Sequence, residues 1–298
     1  QKPVDKIDWK SLPASLDPFY RQTTKLPEAR ALRKRQQLES VLHHALPLIQ
    51  DGDTVCDFGA GAGHIALLIA FLRPSCRVVM VEHNPEKHEM VYSRLKHLQA
   101  EGITCNVDIY MKIDDFQRSG RPLDLGLSLH SCGLLTDETL RYCVSKRAKY
   151  VLVPCCYGQI TSVNPHTLRC SSSQRFKQVE QEHMEAVQSA ADFTVPASDE
   201  KFHESNNFEI AKRCMNIVDS DRQAWAEEHG YESLYIKSLY PLNCSPKNNV
   251  IIGSPKVPDL DNFQQKVDGV LSEFQGFLDE QVKDSMMLVA SPTSHYRL

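Results

Sequence analysis

One stretch of this chain combines an acidic residue with three alternating glycines, a pattern able to hold a small ligand. The stretch runs from Thr54 to His64 and reads Thr-Val-Cys-Asp-Phe-Gly-Ala-Gly-Ala-Gly-His. Its candidate ligand-binding residues are Asp57, Phe58, Gly59, Gly61 and Gly63. Glycines at this spacing let the backbone turn tightly and lie directly against a bound molecule. The stretch therefore predicts a strand, a ligand-binding turn and a helix.

The spacing of the glycines also indicates which ligand is bound. It is not the G-x-G-x-x-G of dinucleotide-binding proteins, and no Lys-Ser or Lys-Thr follows as in a phosphate-binding loop. The charge of Asp57 would repel a pyrophosphate, but it suits the amino group of a cationic amino acid. We therefore predict that the loop binds S-adenosylmethionine, the alternative being a glycine-rich turn without a ligand.

Two further acidic residues lie where they could contact the rest of that cofactor. Glu82 ends the next apolar strand, about 20 residues after the last glycine, where an acid can bind both ribose hydroxyls. Asp114 follows a third predicted strand and could accept a hydrogen bond from the exocyclic amine of adenine. Acidic residues are also common in surface loops, and this remains the alternative for Asp114.

Three residues are candidates for the chemistry of methyl transfer. His130 ends the fourth predicted strand and could act as a general base because the usual pKa of histidine lies near neutrality. Cys155, which follows Pro154, could be a nucleophile of the kind used in pyrimidine C5 methylation. Tyr157 could stack on a base or orient the acceptor. The alternative for each is packing: His130 against the donor, Cys155 and Tyr157 in the interior.

Strands and helices that alternate along the chain must position these residues. Short apolar strands alternate with helices from residue 54 to 156, which predicts parallel strands joined by right-handed crossovers. The last two strands, Tyr231 to Leu239 and Asn249 to Gly253, follow each other without a helix and should form an antiparallel edge pair. The predicted fold class is α/β, a Rossmann-like and mostly parallel seven-stranded sheet with helices on both faces.

The chain is expected to divide into three parts. Residues 1–26 should form an extended N-terminal arm, and residues 27–256 the catalytic domain. Within this domain residues 157–205 interrupt the alternation with polar sequence, which predicts an insertion on the substrate side of the sheet. Residues 257–298 form an acidic C-terminal tail with one possible helix.

Composition limits the partners and the compartment. The net charge is −4, so no overall positive field draws the chain onto nucleic acid or membrane, and neither DNA nor membrane binding is expected. No apolar run reaches the roughly 18 residues of a membrane helix. The ten cysteines include no C-x-x-C pair, which favours reduced thiols in the cytoplasm over disulfides or a metal site.

A local basic cluster remains the best candidate for contact with phosphate groups. Four basic side chains lie close together near the start of the first predicted helix: Arg30, Arg33, Lys34 and Arg35. Arg169, Arg175 and Lys177 in the insertion could add contacts. The alternative is that these residues form a solvated surface without a partner.

Several short segments of the chain resemble a known family. The glycine stretch together with Leu129-His-Ser-Cys-Gly133, Thr136-Asp137 and Pro154-Cys-Cys-Tyr-Gly158 resembles the methyltransferase domain of the glutathione S-transferase C-terminal domain-containing proteins, a class I methyltransferase. The same segments are similar to the eukaryotic tRNA acceptor-stem 2′-O-methyltransferase. The resemblance implies S-adenosylmethionine-dependent methyl transfer, with the donor bound by Asp57 and the three glycines of the loop and by Glu82. His130, from its place at the end of the fourth strand, is a further candidate for contact with the donor.

The acceptor follows less directly from this resemblance. It implies an RNA similar to tRNA, but this chain has Tyr157-Gly158 where the tRNA enzyme carries histidines. No Asn/Asp-Pro-Pro-Tyr/Phe sequence follows the fourth strand, which argues against methylation of adenine or amide nitrogen. A ribose hydroxyl, a protein side chain and a small molecule all stay open. The other alternative is an inactive module that binds the donor and serves as an interaction partner.

Overall fold

The computed structural model describes residues 7–20, 26–162, 173–193, 201–257 and 272. Its centre is a seven-stranded sheet in the order β3-β2-β1-β4-β5-β7-β6. The strands are β1 Thr54–Phe58, β2 Arg77–Val81, β3 Val107–Tyr110, β4 Leu125–Cys132, β5 Lys149–Cys155, β6 Tyr231–Ser238 and β7 Asn249–Pro255. The helices are α1 Glu28–Ala45, α2 His64–Leu72, α3 Pro85–Ala100, α4 Ile113–Arg118, α5 Leu135–Ser145, α6 Gln159–Ser162, α7 Gln181–Ala190 and α8 Asn206–Glu228.

The pairing of the strands confirms the predicted α/β fold class. Strands β1 to β5 pair in parallel with their neighbours, whereas β7 is antiparallel to both β5 and β6. Chain order reverses between β1 and β4, so the loops after these two strands diverge and leave a crevice at the carboxyl edge of the sheet. The glycine loop lies at this crevice because it directly follows β1.

Two hydrophobic layers cover the two faces of the sheet. Along β1, Val55 faces one layer and Cys56 the other, as the alternation of side chains in a strand requires. The first layer contains the apolar faces of α1 and α2, with Leu38, Leu42 and Leu67 fully or almost fully buried. The second layer is formed largely by α5 and residues of β5 to β7. The glycine loop is thus supported from both sides.

The N-terminal segment differs from the predicted extended arm. Residues Ala14–Leu16 form a 3-10 helix, and Leu16 is completely buried. The indole Nε1 of Trp9 donates to the Glu39 carboxylate on α1 at 2.7 Å. This segment therefore packs on the domain, because Leu16 is buried there. The periodicity of the sequence gives no sign of this long-range contact.

Helix α8 also begins earlier than predicted. The sequence indicated a helix from Asn216, but α8 begins at Asn206, where the Ser205 hydroxyl accepts from the Phe208 N–H and caps it. The described part of the 157–205 insertion packs on α8 through Met184, which is buried together with Met215. The predicted acidic tail lies outside the described residues, apart from residues 257 and 272. None of the described helices is both long enough and apolar enough to cross a membrane.

Candidate functional site

The glycine loop is held in a left-handed conformation that favours glycine. Gly59, Gly61 and Gly63 have φ angles of 66°, 56° and 71°. A Cβ on Gly63 would lie 2.8 Å from a Val91 methyl group, whereas a Cβ on Gly61 would meet no atom within 4 Å. Gly63 is therefore required for packing, and Gly61 leaves open space beside the backbone, as a cradle for a ligand does.

The carboxylate of Glu82 fixes this loop to the end of β2. Its Oε2 accepts from the Gly61 N–H at 2.8 Å, and its Oε1 accepts from the Asn84 N–H at 2.9 Å. A carboxylate oxygen can accept two hydrogen bonds, so Oε2 keeps capacity for a ribose hydroxyl. Nδ1 of the exposed His83 ring lies 3.3 Å from Oε1. The structure places Glu82 where the sequence expected it, directly beside the glycine loop.

Glu82 and Asp114 line one cavity of about 620 Å³ together with Gly59. This volume lies within the usual range for small-molecule sites. Asp114 stands in the first turn of α4. Both polar and apolar residues supply the remaining walls, and the apolar ones include Ile113 and Leu135. Sequence reasoning missed these two, and the only signal for them is their position just after β3 and β4.

Phe58 contributes to the loop through its backbone only. Its side chain is completely buried, and its ring packs against the rings of Phe116 and Tyr142 at centroid distances of 6.4 and 5.9 Å. This aromatic cluster forms the floor beneath the loop. The predicted ligand-binding role of Phe58 is therefore limited to its main-chain atoms.

Asp57 lies buried at the other side of the loop, opposite a lysine. Burial raises the pKa of Asp57 to about 7, while the charge of Lys34 and the Ala66 N–H at the start of α2 act to lower it. Burial likewise lowers the pKa of Lys34 to about 8, with Asp57 opposing this shift. No direct ion pair joins the two among the described residues. A zwitterionic amino acid could therefore place its ammonium on Asp57 and its carboxylate on Lys34.

Arg94 and His64 are buried close to Asp57 and Lys34. Arg94 is completely buried, with Nη1 2.8 Å from Nδ1 of His64 and Nη2 3.1 Å from Nε2. A neutral imidazole has one acceptor nitrogen, so only one of these contacts can be a hydrogen bond. Burial lowers the pKa of His64 well below its usual value and that of Arg94 to about 10. Arg94 Nε lacks a hydrogen-bond partner within the described ranges.

These side chains form what we term the donor-end cluster, together with a histidine from β4. Its members are Lys34, Asp57, His64, Arg94 and His130. Nε2 of His130 lies 3.2 Å from Oε1 of Gln37, whose Nε2 donates to the Cys244 carbonyl at 2.8 Å. The oxygen of Gln37 thus faces His130, so His130 carries its proton on Nε2 and keeps a lone pair on Nδ1.

The expected near-neutral pKa of His130 needs correction. Burial, followed by the charge of Lys34, lowers the pKa of His130 to about 3. The ring is therefore neutral at physiological pH but a weak base. Its φ of 67° places it in the left-handed region, which turns the chain at the point where the register of β4 against β5 shifts.

The structure also corrects the role suggested for Cys155. Its side chain is buried, and burial raises the pKa of the thiol well above the usual value, with the neighbouring Cys132 adding to the shift. A reactive cysteine needs a stabilised thiolate. No such stabilisation exists here, and the thiol lies 3.1 Å from Sγ of Cys132.

Tyr157 is likewise unavailable for stacking on a substrate. It is completely buried, and its hydroxyl donates to Oδ2 of Asp219 at 2.8 Å. Arg222 binds Asp137 through Nε and Nη2 at 3.2 and 2.7 Å, and Asp219 through Nη1 at 2.9 Å. We term this set, completed by Asn249, the interior ion-pair network. Asn249 Nδ2 donates to Asp219 at 2.6 Å.

The basic cluster at the start of α1 proves to be divided. Lys34 lies close enough to Asp57 for the charge of each to shift the pKa of the other. Arg35 forms a salt bridge with Asp17, and its guanidinium lies 4.2 Å from the ring centroid of Phe19. Arg30 is exposed and Arg33 partly exposed. In the insertion, Arg175 pairs with Glu227 at 2.8 Å, Lys177 is exposed, and Arg169 lies outside the described residues.

Comparison with known proteins places this site in a family. A family model described as a methyltransferase domain matches residues 33–163. The glutathione S-transferase C-terminal domain-containing protein of Mus musculus is 35% identical over 256 residues, covering 85% of this chain and 37% of that protein. Its homologue in Drosophila pseudoobscura pseudoobscura is 33% identical over 258 residues, covering 83% and 40%. The chain thus spans about two fifths of the length of these relatives.

Among solved structures, the chain is similar to a SAH-bound methyltransferase of Podospora anserina, with a TM-score of 0.44 and 10% sequence identity over 84% of this chain and 92% of that one.

The family match and the site agree on the cofactor, which is S-adenosylmethionine. The cradle at Gly61, the free acceptor capacity of Glu82 and the opposed charges of Asp57 and Lys34 fit its ribose and amino-acid ends. Over residues 33–163 the chain therefore carries a methyltransferase domain, and over 85% of its length it is similar to the glutathione S-transferase C-terminal domain-containing protein of Mus musculus.

Proposed function

We propose that this domain transfers the methyl group of S-adenosylmethionine to an RNA acceptor similar to tRNA. The observation that carries the methyl-transfer part is the opposition of Lys34 and Asp57 beside the glycine loop. These two oppositely charged groups, Asp57 buried and Lys34 half-buried, have no ion pair between them and match the zwitterionic end of the donor and no simple phosphate ligand.

Each part of the donor then has a proposed partner. Asp57 binds the ammonium group and Lys34 the carboxylate, while Glu82 binds the ribose hydroxyls and Asp114 the adenine amine. The bound donor supplies an electrophilic methyl group on a sulfonium. The protein's own contribution is to align the acceptor with that methyl group and to exclude water, which can account for much of the rate enhancement in such a transfer.

His130 is proposed as a residue that positions the acceptor. With its pKa lowered to about 3, it cannot hold a proton for long near neutral pH. Its Nδ1 lone pair can nevertheless accept a hydrogen bond from an acceptor hydroxyl and orient an oxygen lone pair toward the methyl group. The proton then passes to solvent as the new bond forms. A ribose hydroxyl suits this arrangement, in agreement with the resemblance to the tRNA 2′-O-methyltransferase.

The RNA part of the proposal also draws on the exposed residues of the basic cluster. Arg30 lies close enough to Lys34 for its charge to lower the pKa of that lysine, so it borders the donor site. Arg33 and Lys177 are further candidates for phosphate contacts. Because Lys34 is assigned to the donor carboxylate and Arg35 pairs with Asp17, we expect few phosphate contacts and a correspondingly shallow salt dependence of binding.

The decisive experiment supplies labelled donor to the purified chain with total cellular RNA or with a protein extract. We expect label in RNA, and we expect Glu82→Ala to abolish it. The double variant Arg30→Glu and Arg33→Glu should reduce RNA labelling while leaving donor affinity unchanged. Arg213→Glu is the matched control, because Arg213 is exposed on α8 and pairs with Glu209 at 2.5 Å.

Each other result contradicts a stated part of the proposal. Label found only in protein would replace the RNA acceptor by a protein side chain. Label in neither pool, with donor binding intact, would favour a small-molecule acceptor or an inactive module that binds the donor. A chain that fails to bind the donor in calorimetry would reject the site itself.

A further inference from the structure

Three cysteine thiols meet at the carboxyl ends of β4 and β5. Sγ of Cys132 lies 3.1 Å from Sγ of Cys155 and 3.4 Å from Sγ of Cys156. All three sulfur atoms lie within 4.8 Å of one another. The cluster is graded in exposure, since Cys155 is buried, Cys156 is partly exposed and Cys132 faces solvent. It adjoins the donor site because Cys132 follows His130 by two residues.

The backbone brings these thiols together in an unusual way. Consecutive residues of a strand point to opposite faces, so Cys155 and Cys156 could not both approach Cys132 in a regular strand. Cys156 instead has a φ of 50°, in the left-handed region that residues other than glycine seldom occupy. On β4, the register shift between Leu129 and Ser131 sets Cys132 directly opposite Cys155. Both irregularities direct thiols to the same point.

We propose that Cys132, Cys155 and Cys156 bind one zinc ion, whose fourth coordination position is open to solvent or to a ligand. Thiolates are the ligands that zinc and other soft cations prefer. Zinc–sulfur bonds of about 2.3 Å in a tetrahedral site place sulfur atoms roughly 3.8 Å apart, which the three thiols reach by shifts of less than about 1 Å. On binding, the thiols release their protons to solvent and the site acquires a net charge of −1.

The alternative use of close cysteines is a disulfide. It would join two of these sulfur atoms at about 2.05 Å and leave the third thiol without a function. The convergence of three thiols, rather than two, is what favours a metal. Three protein ligands plus one open position is the arrangement of zinc sites that bind a ligand, whereas purely structural zinc sites use four protein ligands. The solvent exposure of Cys132 agrees with an open fourth position.

The test measures zinc on the purified full chain after incubation with zinc chloride and removal of unbound metal. We expect about one zinc per chain by elemental analysis, as for a mononuclear site. Cys132→Ser should lower zinc affinity at least about tenfold in a chelator competition. This is the smallest loss seen when a residue behind a metal ligand is replaced, and loss of a direct ligand should weaken binding at least as much. Cys76→Ser is the matched control: Cys76 is partly exposed, donates to the Gln50 carbonyl at 3.2 Å and precedes β2 at the opposite edge of the sheet.

Two further readings separate a metal site from misfolding and from redox chemistry. Unchanged affinity of Cys132→Ser for S-adenosylmethionine shows that the variant is folded. Cobalt added to the unaltered chain should give thiolate-to-metal charge-transfer absorption, a signature that requires no variant. Equal zinc content in Cys132→Ser and the unaltered chain would overturn the proposal. A disulfide would also overturn it. In that case the intact mass of the unaltered chain would be two hydrogens below the mass calculated for reduced thiols, whereas Cys132→Ser would have its full calculated mass.

Discussion

The donor-end cluster and the interior ion-pair network both contain buried charged groups, but they differ in how their charges are compensated. In the network, Arg222 pairs with both Asp137 and Asp219. Tyr157 and Asn249 also donate to Asp219. In the donor-end cluster, by contrast, neither Lys34 nor Arg94 forms an ion pair with any described residue. A buried charge without a counter-ion is costly, so it persists in proteins mainly where a ligand completes it.

The pKa shifts express the same difference. Burial alone would lower the pKa of Arg222, but Asp137 and Asp219 outweigh burial and raise it well above its usual value. At the donor end burial prevails, and it moves the pKa values of Lys34 and Asp57 toward neutrality. We therefore interpret the network as a device for stability and the donor-end cluster as a binding site. The following predictions test this distinction.

The largest expected effect is on stability and comes from the network. Arg222→Met removes the buried cation that pairs with both Asp137 and Asp219, which should cost about 3–5 kcal/mol in the free energy of unfolding. Denaturant titration measures it, and whatever fraction remains folded should bind S-adenosylmethionine with unchanged affinity. A loss of donor affinity without a loss of stability would reverse our interpretation of the two regions.

The corresponding change in the donor-end cluster should act in the opposite sense. Lys34→Met removes a charge-assisted hydrogen bond to the donor carboxylate, worth about 1.5–3 kcal/mol, so affinity should fall by roughly 10- to 100-fold. The free energy of unfolding should stay constant or rise, because a desolvated cation is replaced by an apolar side chain. Calorimetry and denaturant titration of the same preparation check both values. A destabilised variant with normal affinity would show Lys34 to be structural.

The pH dependence of donor binding should report Asp57. Its pKa of about 7 means that the carboxyl group is largely protonated in the free protein at pH 5.5, whereas binding the donor ammonium requires the charged form. Affinity should therefore rise roughly 20-fold from pH 5.5 to pH 7.5, with protons released on binding below pH 7. It should fall again above pH 8, because Lys34, with a pKa of about 8, then loses the charge that binds the donor carboxylate. His130 titrates near 3 and should contribute nothing in this range. A profile that keeps its slope in Asp57→Asn would assign the titration to another group.

The smallest expected effect again belongs to the network. Tyr157→Phe removes one hydrogen bond to Asp219 but leaves the ion pairs with Arg222, so it should cost about 1 kcal/mol of stability. Donor affinity and the rate of methyl transfer should not change. Thermal unfolding and a single-turnover assay provide the measurements. A rate that drops while stability holds would restore Tyr157 as a residue that acts on the substrate.

Much of this architecture was predictable from the sequence. The glycine loop, the strand ending at Glu82 and the consecutive strands at residues 231–239 and 249–253 carry local signals, because turns, apolar runs and helix caps act over a few residues. Those signals are sufficient for the fold class and for the position of Asp57 and Glu82 beside the loop. They also placed His130 at the end of a strand, although its pKa could not be inferred without knowing its burial.

Only the tertiary structure decided which charged side chains have an oppositely charged partner. The sequence shows Arg30, Arg33, Lys34 and Arg35 as one basic cluster, yet in the fold Lys34 is half-buried near Asp57 and Arg35 pairs with Asp17. It shows Thr136-Asp137 and Tyr157 without indicating that Arg222, far along the chain, joins them to Asp219. The approach of Cys132 to Cys155 likewise depends on the pairing of β4 with β5. Burial and distant partners set pKa values and ligand geometry, and both arise only when the sheet assembles.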